Sequence, residues 1–212
     1  MRQTRIELNT EADPIDGIMC GPDEIKPPIP AVVVCHAHPL LGGTADHPVV
    51  IAICRELADR GIASLRFSFR VGMRDNEALN AAAARDVALA VEAIRMWNFV
   101  NPRRVAVAGH SFGASAILRA LPNLGDAKAV SLLAPPVNSL AASDVEKFSL
   151  PRQLLVGTKD KMVNPEALRE AAQKKDPGIN FDTVENADHN FNFTYNEAAT
   201  LSVAFLAEYL LP

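Results

Sequence analysis

The sequence predicts an α/β fold built on a mostly parallel, doubly wound sheet of about seven or eight strands, with helices on both faces. Two observations carry this prediction. Short β-branched runs alternate along the chain with longer stretches whose apolar residues recur at helical spacing. In addition, residues 31–35 form a continuous apolar run, which is typical of a strand buried on both faces of a parallel sheet. The length of 212 residues suits one domain over residues 1–212.

The first half of the chain begins with an expected N-terminal hairpin. Alternation over residues 4–9 predicts an edge strand, and residues 17–20 provide an antiparallel partner for it. A proline-rich linker over 21–30 then leads to the apolar run. The elements expected next are a strand over 31–35, a helix over 46–60 closed by Gly61, a strand over 62–69 and a long Ala-rich helix over 76–98.

The second half repeats the alternation of strand and helix. The expected strands cover 105–108, 129–133, 153–157 and 179–184, and the expected helices cover 112–121, 139–147, 165–175 and 195–211. In the last helix, Leu201, Phe205 and Tyr209 are expected to face inward. The segment 134–152 is too short for a helical cap domain, so none is predicted. In a sheet of this kind, ligands bind beyond the carboxyl ends of the strands.

Composition and charge restrict the partners of the protein. The formal net charge of −4 argues against nucleic acid or an acidic membrane as the main partner. The N-terminus lacks the apolar stretch of a signal peptide, and no run approaches the roughly 18 apolar residues of a membrane helix. The three cysteines show no paired spacing, as expected for reduced thiols. A cytoplasmic protein is therefore expected, and its oligomeric state stays open.

A candidate nucleophile lies just after the strand over 105–108. The chain there reads Gly109-His110-Ser111-Phe112-Gly113 and continues into a helix rich in Ala, Ile and Leu. This order of strand, Gly-x-Ser-x-Gly turn and helix is typical of a nucleophile elbow. The two glycines are small enough for backbone to pass close to backbone, and the start of the helix supplies N–H groups where an oxyanion would form. The alternative is an ordinary strand-to-helix turn that contains a serine.

An acid and a histidine follow Ser111 in the order that such chemistry uses. Asp160 comes after the strand over 153–157, and His189 comes after the strand over 179–184. A serine hydroxyl needs an imidazole to take its proton, and the imidazole needs a carboxylate to fix its tautomer. We therefore expect Ser111, His189 and Asp160 to act together as nucleophile, base and orienting acid.

Alternatives stay open for these roles. Asp188 and Glu185 are rival acids, although neighbouring side chains such as those of Asp188 and His189 usually diverge. Asp160 could instead be a solvated loop aspartate, and His189 a packed loop histidine. His110 directly precedes the serine, and it is expected to point away from the hydroxyl and to pack around the elbow.

The expected oxyanion hole consists of two backbone N–H groups. One belongs to Phe112, the residue after the nucleophile, and the other to a residue near His38 in the loop after the strand over 31–35. Pro39 has no N–H to offer. From their positions in the loops, the residues expected to border the substrate pocket are Leu40, Leu41, Met162 and Phe191.

A metal site is the main alternative for the histidines of this loop. His36 and His38 are two residues apart and would share one face of a strand. The di-zinc pattern H-x-H-x-D-H would need aspartate where Leu40 stands, and no compact ligand set follows, although Asp46 and His47 lie nearby. The sequence also lacks the G-x-G-x-x-G and P-loop motifs. Neither a metal nor a cofactor is therefore predicted.

The chain resembles the α/β-hydrolases, and among them the small, lidless bacterial serine hydrolases of the dienelactone-hydrolase-like or esterase-like branch. The resemblance rests on the motif at 109–113, on the loops of Asp160 and His189, and on three further stretches. These are His36-Ala37-His38-Pro39-Leu40-Leu41-Gly42-Gly43-Thr44, Ser64-Leu65-Arg66-Phe67-Ser68-Phe69-Arg70 and Ala134-Pro135-Pro136-Val137.

This resemblance implies an α/β-hydrolase fold and acyl hydrolysis through Ser111. The expected substrates are carboxylic esters or thioesters of small soluble molecules, because a pocket without a lid suits small or extended substrates better than long lipids. One fold hosts many functions, so two alternatives stay open. They are a ligand-binding or scaffold protein without turnover, and an acyltransferase that uses the same three residues.

Overall fold

The computed structural model describes residues 1–8, 14–71 and 76–212, which form one sheet flanked by helices. The strands are β1 (Arg2–Leu8), β2 (Ile15–Gly21), β3 (Ile29–Cys35), β4 (Ala63–Phe67), β5 (Val100–His110), β6 (Val130–Leu133), β7 (Arg152–Gly157) and β8 (Asn180–Val184). The helices are α1 (Pro48–Asp59), α2 (Asn76–Arg95), α3 (Phe112–Ala120), α4 (Val137–Ala142), α5 (Pro165–Lys175) and α6 (Tyr195–Leu210). Short 3-10 turns occur at Pro39–Leu41, Leu121–Asn123 and Val145–Lys147.

The described strands lie in the order β1-β2-β4-β3-β5-β6-β7-β8. β1 pairs with β2, and β2 with β4, in antiparallel fashion, while the strands from β4 across to β8 pair in parallel. The mostly parallel sheet and its N-terminal hairpin are thus confirmed, although residue 9 lies outside the described residues. The carboxyl ends of β3 to β8 therefore meet along one side of the sheet, which we call the carboxyl edge.

The central strand β3 is buried along its whole length. Ala31, Val33 and Cys35 pack into the core layer that contains the apolar faces of α2, α3 and α5. Val32 and Val34 point to the opposite face and pack with α1 and α6. Because successive side chains of a strand alternate between faces, an uninterrupted apolar run fits this position between two layers of helices.

Several elements begin or end a few residues from their predicted bounds, and two differ in a way that has a clear physical reason. β5 begins at Val100 instead of residue 105, because the polar residues 101–104 continue the extended backbone with a shifted register against β3 and give no apolar signal. The helix predicted over 139–147 is α4 followed by a separate 3-10 turn. Ser143 ends α4, since its backbone is extended and its hydroxyl donates a hydrogen bond to the Leu140 carbonyl at 2.7 Å.

The inward face of α6 was only partly predicted. Phe205 is buried and Leu201 is half-buried. Tyr209 is 39% exposed, so the prediction that it faces inward was wrong. Residues eight apart on an α-helix are rotated by about 80° relative to each other, so a row with a spacing of four moves around the helix. Tyr209 has left the buried face, and its ring lies against that of Phe205 with centroids 5.2 Å apart.

The segment between β6 and β7, which the structure describes in full, contains α4 and one 3-10 turn. It therefore includes no separate cap domain, as predicted from its length. None of the helices within the described ranges is long and apolar enough to cross a membrane.

Candidate active site

Ser111 occupies a strained turn between β5 and α3. Its φ of 53° and ψ of −109° are rare for a residue with a side chain, and its N–H donates a hydrogen bond to the Leu133 carbonyl at 2.8 Å. Such backbone strain persists only where the surrounding structure enforces it, and it occurs preferentially at functional sites. The conformation is the one that a nucleophile elbow requires.

The glycines on either side of Ser111 permit close backbone packing. A Cβ atom on Gly113 would lie 2.6 Å from the Cys35 carbonyl oxygen and 2.7 Å from that of His36. A Cβ atom on Gly109 would lie 2.5 Å from the Ile117 side chain. The start of α3 thus presses against the end of β3, and this contact brings the loop that follows β3 next to the elbow.

Ser111, His189 and Asp160 lie together at the carboxyl edge. The Ser111 hydroxyl is 2.9 Å from His189 Nε2, and His189 Nδ1 is 2.8 Å from Asp160 Oδ2. A carboxylate only accepts hydrogen bonds, so Nδ1 carries the proton and Nε2 is free to accept from the serine hydroxyl. The second oxygen of Asp160 accepts from the N–H groups of Met162 and Val163, each at 2.8 Å. The side chains are therefore arranged in the order that proton transfer from the serine requires.

The acid and histidine loops are packed tightly against each other. A Cβ atom on Gly157 would lie only 2.3 Å from the Ala187 carbonyl oxygen, which also accepts from the Lys159 N–H at 2.9 Å. This contact joins the ends of β7 and β8. It fixes the position of Asp160 relative to His189 through the backbone.

The rival acids have other partners. Asp188 accepts hydrogen bonds from the backbone N–H groups of Asn190 and Asn192, and from the Asn192 side chain. Burial acts to raise the pKa of Asp188, but these hydrogen bonds outweigh it and leave the pKa lowered. Glu185 accepts from the Thr158 hydroxyl at 3.4 Å. In this geometry Asp160 is the carboxylate that contacts His189 Nδ1.

His110 packs behind the elbow. It is buried, and its Nε2 donates to the backbone carbonyl of His189 at 2.8 Å. Burial lowers the pKa of His110 to about 3, so the ring is neutral at pH 7. As expected, it does not contact the serine hydroxyl; it holds the backbone of the residue that does.

The residues of the expected oxyanion hole are neighbours. Phe112 is the first residue of α3, so its N–H has no carbonyl partner within the helix. The ring of His38 lies 4.8 Å from the ring of Phe112, and the carbonyl of His38 accepts from Leu41 and Gly43. The loop is thus closed on itself beside the start of α3. Whether these two N–H groups bind an oxyanion remains a prediction.

His36 joins the loops that follow β3 and β4. It is buried, its Nδ1 donates to the Ala37 carbonyl at 2.6 Å, and its Nε2 accepts from the Phe69 N–H at 3.0 Å. Both ring nitrogens therefore have protein partners. Within the described ranges, no group of three or more His, Cys, Asp or Glu side chains is arranged to hold a metal ion.

The buried His36 is expected to make stability fall in acid. Burial lowers its pKa to about 4, below the value near 6.5 of an unfolded chain. The unfolded state then binds more protons between these values, so the free energy of unfolding should decrease by about 3 kcal/mol as the pH falls from 7 to 4. Urea denaturation across this range measures the effect.

The matched variant is His36→Gln, because glutamine can also donate and accept but does not titrate. Its stability should depend less steeply on pH, by about one proton over the same range. An unchanged dependence in the variant would assign the acid sensitivity to other groups, of which the buried His110 is the first candidate.

The expected pocket residues divide into two kinds. Leu40, Leu41 and Met162 are exposed on loops of the carboxyl edge, where their contact with a substrate stays a prediction. Phe191 does not border a pocket, because it is fully buried and its ring lies 5.7 Å from that of His110. Phe193, two residues later, is 99% exposed, and it was not among the residues predicted to border the pocket. The pattern of polar and apolar residues does not distinguish the buried phenylalanine from the exposed one, because the direction of each side chain depends on the backbone dihedral angles of the loop.

An ion pair between a buried aspartate and a partly buried arginine was also not predicted from the sequence. Asp86 of α2 has no exposed side-chain surface and accepts from Nε and Nη2 of Arg70, at 2.9 and 2.5 Å. Arg70 belongs to the loop after β4, next to Phe69, which donates to His36. The only sequence signals are a charged residue within an Ala-rich helix and an arginine after an apolar strand.

Comparison with known proteins agrees with this architecture. Residues 30–207 match the model of a family described as an alpha/beta hydrolase domain. Uncharacterized protein RP471 of Rickettsia prowazekii is 26% identical over an alignment 191 positions long, which covers 81% of this chain and 76% of that protein.

Three solved structures illustrate the shared fold. An alpha-beta serine hydrolase homologue from Coxiella burnetii is 22% identical, with a TM-score of 0.81 and coverage of 95% of this chain and 96% of that one. XC6422 from Xanthomonas campestris, a serine hydrolase without a lid, is 22% identical, with a TM-score of 0.82 and coverage of 99% and 96%. Dienelactone hydrolase from Anabaena variabilis is 18% identical, with a TM-score of 0.78 and coverage of 99% and 98%.

The family match covers most of the chain, and the neighbours share its fold at low sequence identity. Such identities establish the fold without fixing the reaction. The chain therefore belongs to the alpha/beta hydrolase family.

Proposed function

We propose that the protein is a serine hydrolase that cleaves carboxylic esters or thioesters of small molecules through an acyl-enzyme on Ser111. The observation that carries this proposal is the pair of contacts from the Ser111 hydroxyl to His189, at 2.9 Å, and from His189 to Asp160, at 2.8 Å. Nucleophile and base are within hydrogen-bonding distance, and a third group orients the base, as nucleophilic catalysis requires.

In the acylation step, Ser111 Oγ forms a bond to the carbonyl carbon of the ester, and its proton passes to His189 Nε2. The bond between that carbon and the leaving oxygen or sulfur then breaks, and the leaving group takes the proton from Nε2. Asp160 stabilises the imidazolium cation that exists between the two transfers. The products are a free alcohol or thiol and an ester on Ser111.

Deacylation repeats these steps with water. His189 takes a proton from the water molecule that attacks the acyl carbon, and it returns that proton to Ser111 Oγ as the acid leaves. In both steps, the negative charge on the carbonyl oxygen would be bound by the backbone N–H groups of Phe112 and a residue near His38. The neutral state of the neighbouring His110 adds no competing charge.

Two features support small substrates. The segment between β6 and β7 adds no cap domain to the site, and the names of two structural neighbours, a serine hydrolase without a lid and a dienelactone hydrolase, agree with cleavage of compact esters. A third neighbour, Est1E from Butyrivibrio proteoclasticus, has been solved with ferulic acid bound. A strong preference for long-chain over short-chain acyl esters would contradict this substrate class.

Labelling with a fluorophosphonate tests the proposed mechanism. We expect the probe to form a covalent adduct on Ser111, identified by mass spectrometry of the digested protein, because such probes react with activated serines. Ser111→Ala should remain unlabelled, and Ser115→Ala, which changes a serine of the adjoining helix, should still be labelled on Ser111. Absence of an adduct in the folded wild type would favour the ligand-binding alternative. Faster turnover with added alcohols than with water alone would favour acyl transfer.

A further inference from the structure

Most of the exposed large apolar side chains lie at the carboxyl edge of the sheet, where the candidate active site also lies. Eight large apolar side chains are exposed within the described ranges. Three of them, Met96, Tyr209 and Leu211, follow α2 or lie at the end of α6, away from the carboxyl edge. The other five lie on loops that follow strands at the carboxyl edge, and we call them the apolar collar: Leu40, Leu41, Val71, Met162 and Phe193.

Members of the collar are attached directly to the loops of the site. The Leu40 N–H donates to the imidazole of His38, at 3.2 Å. The Met162 N–H donates to Asp160. Leu40 and Met162 therefore lie on the same loops as His38 and Asp160 of the candidate site.

Phe193 is the most exposed member of the collar, and its loop holds it there. Its φ of 61° is rare for a bulky residue, and the side chain is 99% exposed. Asp188 closes the loop by accepting from Asn190 and from the backbone and side chain of Asn192. Backbone strain of this kind occurs preferentially at functional sites, and the exposed ring on the loop of His189 is available to a ligand.

The chemistry of acylation indicates which half of an ester lies near Phe193. His189 Nε2 must deliver its proton to the leaving oxygen, so the leaving group lies on the side of the histidine. Phe193 follows His189 on the same loop, and Met162 belongs to the loop of Asp160. Leu40 lies on the opposite loop, beside the groups expected to bind the carbonyl oxygen.

We propose that Phe193, together with Met162, binds the leaving group of a neutral ester. This leaving group is an apolar alcohol, either aromatic or alkyl. This inference rests on the proposed function. Charges of both signs occur on the two loops, with Lys159 and Lys161 on the acid loop and Asp188 on the histidine loop. This mixed charge selects neither an anionic nor a cationic alcohol, and the ring supplies a flat apolar surface.

The test compares two series of esters. One series keeps an acetyl group and varies the alcohol from methyl through butyl to benzyl, and the other keeps a methyl alcohol and lengthens the acyl chain. For Phe193→Ala, the loss in kcat/KM should grow along the alcohol series, from about twofold for methyl to about tenfold for benzyl acetate. Along the acyl series, the loss should stay constant, because the acyl group lies on the other side of the scissile bond.

The matched control is Met96→Ala, which removes an apolar side chain that is 86% exposed after α2. It should leave both series unchanged. Thermal melting verifies that both variants are folded. A uniform loss along the alcohol series, or a loss that grows with acyl length, would overturn the assignment of Phe193 to the leaving group.

Two further measurements separate this inference from its rivals. If wild-type Ser111 is not labelled by a fluorophosphonate and no ester is cleaved, the proposed function fails and this inference fails with it. If esters are cleaved with unchanged selectivity in Phe193→Ala, only the leaving-group site is overturned. In that case, loss of a dimer in sedimentation, or loss of binding to phosphatidylcholine vesicles, would assign the collar to a second copy of the chain or to a lipid surface.

Discussion

Replacing Asp160 with asparagine is expected to lower kcat for ester hydrolysis by about 10⁴-fold with little change in KM. The carboxylate accepts from His189 Nδ1 at 2.8 Å and is itself held by two backbone N–H groups. Asparagine has nearly the same shape, but it can present an N–H group to Nδ1. The imidazole would then carry its proton on Nε2 and could no longer accept the proton of Ser111. Steady-state kinetics on a short-chain aryl ester measures the effect.

Glu185→Gln is the matched control, since it neutralises an exposed rival acid on the histidine loop. We expect its kcat to stay within about twofold of the wild type, as usual for an exposed charge outside the reacting geometry. An equal loss in both variants would mean that the overall negative charge of this edge matters, and that the contact between Asp160 and His189 does not. Circular dichroism of both proteins verifies the fold.

Replacing Gly113 with alanine is expected to destabilise the protein by about 3 kcal/mol. The new Cβ atom would lie 2.6 and 2.7 Å from the carbonyl oxygens of Cys35 and His36. These are backbone atoms at the end of the central strand, so they cannot move without disturbing β3 or α3. The expected result is a lower midpoint of urea denaturation with an unchanged slope, and reduced labelling of Ser111 as the elbow shifts.

Gly21→Ala is the control for this prediction. Gly21 ends β2, has no positive φ, and an added Cβ atom would meet only the Ile25 side chain at 3.8 Å. Its stability should change by less than about 1 kcal/mol. If the two alanine variants were equally stable, α3 would be able to move away from β3 without cost, and the elbow would be less rigid than the geometry indicates.

The sequence predicted the features that depend on short-range patterns. Local patterns include the apolar run at 31–35, the Gly-x-Ser-x-Gly turn, and the positions of Asp160 and His189 after strands. The structure brings Ser111, Asp160 and His189 together at the carboxyl edge. In a parallel sheet the carboxyl ends of strands meet, so chain order and strand ends suffice to predict such a meeting.

Other features depend on contacts that no local pattern encodes. Phe191 and Phe193 both have positive φ values in one loop, yet one is buried and the other exposed, because the closed turn at Asp188 sets their directions. The hydrogen bond from the Phe69 N–H to His36 Nε2 joins two loops that are far apart in the sequence. The hydrogen-bond partners of buried polar side chains depend on the tertiary structure, so the spacing of residues in the sequence does not predict them.

The order of the strands also governs how the chain acquires its sheet during synthesis. β3 lies between β4 and β5, so this wholly apolar strand has no partner when it leaves the ribosome. One side is covered once β4 has been made, and the other only after residue 105 of β5 has followed. Unpaired apolar strands are the segments from which chains associate wrongly. The β1–β2 hairpin, which forms first but docks only on β4, cannot provide this protection. The strand at the centre of the sheet therefore stays without its second partner until β5 has been synthesised.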